Sequence, residues 1–577
     1  MKYTKYIIAC AFIIAVLCME ACSKKGGDLL DRTESGTINE QVTFSDSIRT
    51  MEFLTGLYQG VQNYYKQTVL TNYGSMADCT DEGEIEWTGT SNYPVPLNLG
   101  TLNSSYSWVS GAWSHWFSRI RNANIYLKNI ATTPLSAPMK ERTKAEARFM
   151  RAWYYHQLFR FFGGVPLVGD TVYTADDIIS RSRNTVAETI DYIVKELDGA
   201  AEGLPTEFTG ADYGRATRGA ALALKARTLL YAASPLFNGG YDGQNGFTAS
   251  TEAQKLLVCY PSYDANRWKT ATDAFKAVID LNKYSLYEDN TTALGYGFYK
   301  VFHLRVSSEA IFQMMDAPNT RLEGMWLPPT RSGAGASYPS QQLVDAFPMK
   351  DGKAITDATS GYNPADPYIN RDPRFYYSII YNGAMFRQTS TVTQAPIYTY
   401  FLAPTDGMGV SSYTTRSGYY CRKMLNNEST GNTQRCIPEI RYAEVLLSYA
   451  EALNEVSGPS AEVYSAVEAI RKRAGLVPYT LPTGLTKDAM RKYIWNERRI
   501  ELAYENHRYF DTRRWKIAND PEVVIFRGIK WTKNGTTYKR EDIVADARSF
   551  NHPAMYFFPI PQTEIGRQKL FIQNPGY

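Results

Sequence analysis

Two blocks of helical periodicity, separated by a stretch rich in Gly, Pro and Tyr, constrain the fold of this 577-residue chain more than any other feature. In the first block, apolar residues such as Met51, Leu54 and Tyr58 recur every three or four positions, which is the pattern of a helix with one buried face. Further helices are predicted over residues 104–130, 136–162, 185–201, 215–233 and 264–281, and in the second block over 437–455, 460–474 and 487–506.

The helices form pairs joined by short turns, at spacings near those of tetratricopeptide-type repeats. Each pair can bury its apolar stripe only against its neighbours, so the pairs are expected to stack. Thr185 followed by Glu188 matches a capping box and predicts the start of one helix. The stretch between the blocks contains short strand-like segments such as RFYYSIIYNG, bounded by turn residues. The sequence predicts a mainly α fold: a tetratricopeptide-like helix-pair array with a large loop-rich insertion containing short strands.

The composition excludes several functional classes. The 62 Lys and Arg residues against 58 Asp and Glu give a formal charge of +4, which is too small to indicate a nucleic-acid surface. The sequence has no Walker A, HExxH or GxSxG motif, and no CxxC pair or Cys/His grouping. No metal site, cofactor or catalytic residue is therefore predicted. The 43 Tyr and 10 Trp residues suit either a core or a recognition surface.

The N-terminus predicts export and lipidation. Lys2 and Lys5 precede an apolar run, residues 7–17, that is too short to span a bilayer comfortably and has the layout of a signal peptide. The small residue Ala21 directly before Cys22 predicts cleavage there and lipidation of the Cys22 thiol. An ordinary cysteine in a simple signal peptide is the alternative.

These patterns divide the chain into segments. They are a lipoprotein signal peptide (1–21), a flexible tether (22–41) and a folded body (42–577), in which the helical array covers about 42–283 and 437–515, the loop-rich ligand-binding lobe about 284–436 and a C-terminal segment 516–577.

Seven stretches spread over nearly the whole mature chain resemble the SusD/RagB family of outer-membrane lipoproteins of Bacteroidetes. They include NRDPRF and PSQQLVDAFPMKDGK, and they cover residues 144–168, 215–233, 339–353, 370–375, 437–455, 496–515 and 557–577. The resemblance implies an α-helical body with tetratricopeptide-like pairs and a more irregular lobe that carries the ligand surface.

The resemblance also implies a function. A protein of this family would be anchored to the outer membrane by its lipid, facing the cell exterior, and would capture a glycan, an oligo- or polysaccharide, and deliver it to a SusC-like TonB-dependent transporter. Two alternatives remain open: the same fold binding peptides, as in RagB-like members, and a glycan-degrading enzyme.

The ligand contacts are predicted on loops, where the flat face of an aromatic ring can pack on the apolar face of a pyranose. The predicted aromatic contacts are Trp87, Tyr93, Tyr296 and Trp326, and the predicted hydroxyl partners are Asn92, Asn290 and Arg331. For each aromatic residue, burial under its own loop is the alternative.

Charged clusters and cysteines yield two structural predictions. Glu497, Glu501 and Glu505 share one helix face and have several arginines nearby, which favours an ion-paired structural network over catalysis. The acidic loop before Trp87 contains the carboxylates that a glycosidase needs, but their proximity in sequence does not give the required geometry. Cys421 and Cys436 bracket a polar segment and are a possible disulfide.

Overall fold

The structure is a computed structural model that describes residues 39–61, 74–86, 89, 92–174, 177, 180–239, 247 and 250–577. The predicted signal peptide, nearly all of the predicted tether, the lipidation site at Cys22 and the predicted ligand contact Trp87 lie outside the described residues.

The helices of the described ranges are numbered here in chain order. They are α1 (Glu40–Phe44), α2 (Ser47–Tyr58), α3 (Pro94–Asn98), α4 (Ser107–Asn129), α5 (Ala137–Phe162), α6 (Val186–Gly203), α7 (Arg218–Ala233), α8 (Glu252–Leu256), α9 (Asn266–Ile279), α10 (Tyr296–Lys300), α11 (Arg321–Trp326), α12 (Gln341–Ala346), α13 (Pro373–Ser378), α14 (Tyr442–Ser457), α15 (Ala461–Arg473), α16 (Lys487–Glu501), α17 (Arg508–Arg514), α18 (Pro521–Val524) and α19 (Gln562–Arg567).

The strands form two-stranded antiparallel sheets. They are β1 (Gly83–Ile85) with β3 (Ser337–Pro339), β2 (Ala310–Met315) with β8 (Cys436–Arg441), β4 (Ile379–Ile380) with β7 (Tyr420–Cys421), β5 (Ala384–Arg387) with β6 (Gln394–Ile397), and β9 (Ile525–Asn534) with β10 (Thr537–Ala547).

The long helices pack side by side into one array, which confirms the predicted fold class. Helices α4, α5, α6 and α7 each contact the next, α7 contacts α9, and α9 contacts α14 of the C-terminal block. Helix α14 in turn contacts α15 and α16. Trp108, Trp113 and Trp116 of α4 lie in the apolar core of this array, as their helical spacing predicts. Within the described ranges, no helix combines the length and the apolar character needed to cross a membrane.

Local sequence signals predict the helix boundaries well, with one exception that is explained by pairing between two distant strands. Thr185 and Glu188 form the predicted capping box at the start of α6, where the Glu188 carboxylate accepts from the Thr185 backbone N–H at 2.8 Å. The prediction of a helix from residue 437 is wrong for its first turn, because residues 436–441 pair with β2 as strand β8. This pairing closes the loop-rich lobe, whose separate apolar core includes Phe347, Phe375 and Tyr419.

A network of buried charges joins the lobe to the helical array, as the spacing of the glutamates predicts. We call it the buried ionic network; it consists of Glu309, Glu501, Glu505, Arg374, Arg441, Arg473 and Lys423. Glu501, at the end of α16, pairs with Arg374 at 3.0 Å, with Arg441 at 2.8 Å and with Arg473. These guanidinium groups hold the pKa of Glu501 well below its ordinary value, although burial alone would raise it.

The predicted disulfide between Cys421 and Cys436 is wrong. Cys421 is a free thiol, fully buried in the core of the lobe and paired with Ile379 in the β4–β7 sheet. The backbone of Cys436 pairs with Met315 in a different sheet, β2–β8. The polar segment between the two cysteines therefore connects two sheets and does not form a closed loop.

Candidate functional site

The acidic loop that precedes Trp87 leads into a two-stranded ribbon, and polar side chains project from one face of this ribbon. Glu84 of β1 lies directly opposite Tyr338 of β3, and opposite residues of an antiparallel pair project on the same face. The Glu86 N–H donates to the Ala336 carbonyl at 3.3 Å and continues the ribbon by one residue, so Glu86 is expected on that face too. Trp87 follows directly in the chain. We call Glu84, Glu86, Tyr338 and Arg416 the ribbon site.

Arg416 reaches the ribbon from a loop of the lobe. Its Nη2 lies 2.7 Å from Glu84 Oε1 and donates to the Ile85 carbonyl at 2.8 Å. These contacts use one oxygen of Glu84 and fix its carboxylate in place.

Three buried polar atoms of the ribbon site have no hydrogen-bond partner among the described residues. They are Oε2 of Glu84, Oε2 of Glu86 and the hydroxyl of Tyr338. A buried polar atom without a partner costs roughly 1–3 kcal/mol, and such atoms are rare in native proteins. Three of them on one face of one ribbon indicate a place built to hydrogen bond with something other than the protein itself.

Burial sets the protonation of this face. It raises the pKa of Glu84 to about 7, although Arg416 opposes the shift, and it also raises the pKa of Glu86 to about 7. Burial, with help from Glu86, raises the pKa of the Tyr338 phenol well above its ordinary value, so this group stays a hydroxyl. Near neutral pH the site therefore offers both hydrogen-bond donors and acceptors, which is the complement of a ligand rich in hydroxyl groups.

The remaining acidic residues of the loop are structural. Asp81 pairs with Arg499 and Arg508, both at 2.8 Å, and despite its burial these cations lower its pKa to about 2. The Glu82 carboxylate accepts from the Tyr504 N–H at 3.2 Å, and Asp78 accepts from the Ser75 N–H at 2.8 Å. These contacts tie the loop to the helical array.

The pKa of Glu82 predicts how stability changes with pH. Burial raises this pKa to about 8, so between an ordinary value near 4.5 and about 8 the folded state holds a proton that the unfolded chain has lost. This contribution to stability is complete below pH 4.5 and is lost as the pH rises through 8. We expect Glu82→Gln, which mimics the protonated group, to match the original protein at pH 5 and to exceed it by on the order of 2 kcal/mol at pH 9 in urea unfolding.

The exposed residue Glu522 supplies the matched control for this measurement, since Glu522→Gln changes the same charge at the surface. Its difference from the original protein should be small at both pH values. A Glu82→Gln variant less stable than the original at pH 9 would show that Glu82 is ionised and paired with Arg508.

Two of the predicted aromatic contacts are core residues, so their predicted exposure is wrong. Tyr93 is 0% exposed, and its hydroxyl donates to the Gly74 carbonyl at 3.0 Å. Trp326 is 1% exposed and packs edge-to-face on Tyr504, with ring centroids 5.3 Å apart. In both cases the loop folds back over the ring, which is the alternative that the sequence leaves open.

The other predicted contacts lie near different parts of the lobe. The partly exposed Tyr296 places its hydroxyl 2.5 Å from Glu428 Oε1. Asn290 donates to the Lys472 carbonyl at 3.1 Å and accepts from the Gly295 N–H at 2.7 Å, which makes it a loop-positioning residue. Arg331 donates to the Ala395 carbonyl at 3.0 Å next to β6, and Asn92 lies beside the loop that follows the ribbon site. Their roles in binding, like that of Trp87, stay predictions.

Sequence reasoning missed Tyr338 and Arg416. Neither follows a motif: Tyr338 meets Glu84 because β1 pairs with β3 across a long stretch of chain, and Arg416 reaches Glu84 from a separate loop of the lobe. The acidic loop itself was the available signal, since it leads directly into the ribbon site.

Two family models match the chain on either side of this pairing. The model of the SusD family matches residues 300–577, which include Tyr338 and Arg416. A second, SusD-like model, described as starch-binding and associating with the outer membrane, matches residues 28–230, which include Glu84 and Glu86. The chain belongs to the SusD family. The ribbon site of this SusD family member is thus built from both matched regions.

SusD-like proteins of other organisms match almost the whole chain. SusD-like protein P2 of Formosa agariphila is 26% identical over 583 residues, which cover 98% of this chain and 99% of that protein. A SusD-like protein of Bacteroides fragilis has a structure with a TM-score of 0.76 at 25% identity, covering 94% of this chain and 99% of its own. A SusD-like carbohydrate binding protein of the same species shares the fold, with a TM-score of 0.73 at 24% identity and coverage of 92% and 99%.

Proposed function

We propose that this SusD family member is a cell-surface lipoprotein that binds a glycan at the ribbon site and passes it to a SusC-like TonB-dependent transporter in the outer membrane. The observation that carries the proposal is the set of three buried polar atoms of the ribbon site, on Glu84, Glu86 and Tyr338, that have no hydrogen-bond partner among the described residues. Membership of the SusD family and the description of its second model as starch-binding support the ligand class.

Binding at this site combines stacking with hydrogen bonds. Trp87 would pack on the apolar face of a sugar ring, because aromatic rings in sugar sites commonly take that role. Glu84 and Glu86 would accept from or donate to its hydroxyl groups, and the Tyr338 hydroxyl would supply a further bond. Arg416 holds Glu84 in position through its 2.7 Å contact, so little conformational entropy is lost on binding.

The same geometry favours binding over hydrolysis. A glycosidase needs two carboxyl groups on opposite sides of the scissile bond, one as acid and the other as base or nucleophile. Glu84 and Glu86 are two residues apart on one ribbon and are expected to project from the same face. They would contact a sugar from one side only, so we infer that the protein binds its ligand without cleaving it.

The proposal is tested by titrating the purified chain from Ser23 onward with two panels, oligosaccharides and peptides, in a calorimeter. Saturable binding of an oligosaccharide, with no new products by chromatography, is the expected result. Binding of peptides alone would show that the chain acts like the peptide-binding members, and release of shorter sugars would show an enzyme.

The lipid anchor has a separate test in cells. Cys22→Ala removes the thiol that would be acylated, so we expect the protein to leave the outer-membrane fraction while the glycan affinity of the purified body stays unchanged. Membrane fractionation with an antibody, alongside calorimetry on the same variant, checks both parts. A variant that still fractionates with the outer membrane would show that another contact holds the protein there.

A further inference from the structure

An exposed strip of aromatic residues lies on the lobe and the C-terminal hairpin, away from the residues of the ribbon site. Tyr398 is 44% exposed, Phe401 38% and Tyr538 37%, and the partly exposed Tyr400 lies between Tyr398 and Tyr538, with ring centroids 5.9 and 5.6 Å from theirs. We call these four residues the aromatic strip. Large apolar side chains are seldom exposed together on a soluble protein unless they bind something.

Two lysines lie over the rings of this strip. Lys533 Nζ is 5.3 Å from the centre of the Tyr400 ring, and Lys530 Nζ is 4.7 Å from that of Phe401. In the hairpin of β9 and β10, Lys533 lies directly opposite Tyr538, so both project from the same face. The strip therefore presents aromatic faces and ammonium groups side by side.

The charges near the strip are not balanced. Lys530 has Glu541 at 3.4 Å and Arg540 has Asp542 at 2.7 Å. Among the described residues, neither Lys533 nor the exposed Lys539 has a carboxylate within 4.0 Å. Of these two cations, only Lys533 lies on the face of Tyr538, because Lys539 follows Tyr538 directly in β10 and projects from the opposite face of the hairpin.

The strip is held rigidly and leads toward the ribbon site. The Phe401 N–H donates to the Trp531 carbonyl at 2.7 Å, which fixes the loop to the hairpin, and Trp531 itself is buried in the core of the lobe. The chain that leaves the strip then passes the exposed Tyr413, whose carbonyl lies beside Gly335 near β3, and reaches Arg416 of the ribbon site. One segment of chain, from Phe401 to Arg416, therefore connects the strip to the ribbon site.

We infer that the aromatic strip is a second glycan subsite that selects anionic polysaccharides, chains whose sugars carry carboxylate or sulfate groups. The inference rests on the proposed function and deepens it. Sugar rings would stack on Tyr400 and Tyr538 while an anionic group of the chain meets Lys533. An apolar protein partner fits less well, because covering the strip would bury the Lys533 ammonium group, which has no carboxylate within 4.0 Å among the described residues.

The test compares polymers that differ only in charge. The chain from Ser23 onward is titrated with polygalacturonate and with its fully methyl-esterified form, and with dextran sulfate and dextran. We expect at least tenfold tighter binding of the anionic member of one pair, decreasing with added salt. Lys533→Gln should remove this preference, and Tyr400→Ala with Tyr538→Ala should weaken binding of that anionic polymer at least tenfold.

The matched control is Lys144→Gln, which removes the same charge from an exposed position of the helical array. Equal losses in the two lysine variants would show general attraction of a polyanion to the protein and overturn the inference, as would equal affinity for charged and neutral forms of both polymers. Glycan binding that depends on Tyr338 but not on the strip would refute the subsite and leave the proposed function standing. Failure of every glycan to bind would refute the proposed function itself.

Discussion

Replacing Glu501 with alanine is expected to destabilise the protein by about 3–5 kcal/mol, since it removes one carboxylate partner from each of three buried arginines. Three guanidinium groups contact this one carboxylate, and all three are almost completely shielded from water. Arg441 keeps Glu309 and Glu505, Arg374 keeps Asp372 and Glu497, and Arg473 keeps Glu309, but each of the three arginines loses one of its carboxylate partners. Urea unfolding followed by circular dichroism measures the loss.

The control for this variant is Glu522→Ala, which removes a carboxylate that pairs with Arg527 at the surface. An exposed pair contributes little, so this change should stay within about 0.5 kcal/mol. If Glu501→Ala lowered the free energy of unfolding as little as Glu522→Ala, the buried ionic network would not hold the lobe to the helical array.

Tyr338→Phe is expected to lower glycan affinity about tenfold while leaving the protein at least as stable as before, since the net value of one hydrogen bond is on the order of 1 kcal/mol. The hydroxyl has no partner in the described part of the chain, so folding gains nothing from it. A bound sugar that hydrogen bonds with the hydroxyl would lose that bond in the variant. Calorimetric titration and thermal unfolding of the same sample measure both quantities.

Tyr419→Phe is the matched control because it removes a buried hydroxyl that does have a partner. The Tyr419 hydroxyl donates to Gln341 Oε1 at 2.7 Å in the core of the lobe. Its loss should reduce stability by about 1 kcal/mol and leave affinity unchanged, the reverse of the Tyr338 pattern. Unchanged affinity in Tyr338→Phe would exclude the ribbon site as the place where the glycan binds.

The sequence predicts the helical array well because helical periodicity and capping are local. Helix α5 was expected over residues 136–162 and spans Ala137–Phe162, and the capping box at Thr185 is formed as predicted. Strand β8 could not be predicted the same way, because its partner β2 lies far away in the chain. The helical pattern from residue 437 onward is local and predicts a helix there. In the structure, the pairing with β2 decides the conformation of this segment.

The site was only partly predictable, for a related reason. The exposure of an aromatic residue on a loop depends on how the loop folds back, and so Tyr93 and Trp326 look like surface residues in sequence although both are buried. The acidic loop leads into the ribbon site, but which of its carboxylates are held by the protein depends on Arg499, Arg508 and Arg416, which lie far from the loop in sequence. No pattern within the loop shows which arginine each carboxylate meets.

The contact between α9 and α14 has an evolutionary consequence. These helices are neighbours in the array although the whole lobe separates them in the chain, so the lobe leaves and rejoins the scaffold at adjacent points. Insertions and deletions between them can therefore accumulate without moving a helix of the array. The ribbon site combines Tyr338 and Arg416 of this interval with Glu84 and Glu86 outside it, so changes in the interval can alter one half of the site while the helical array keeps its arrangement.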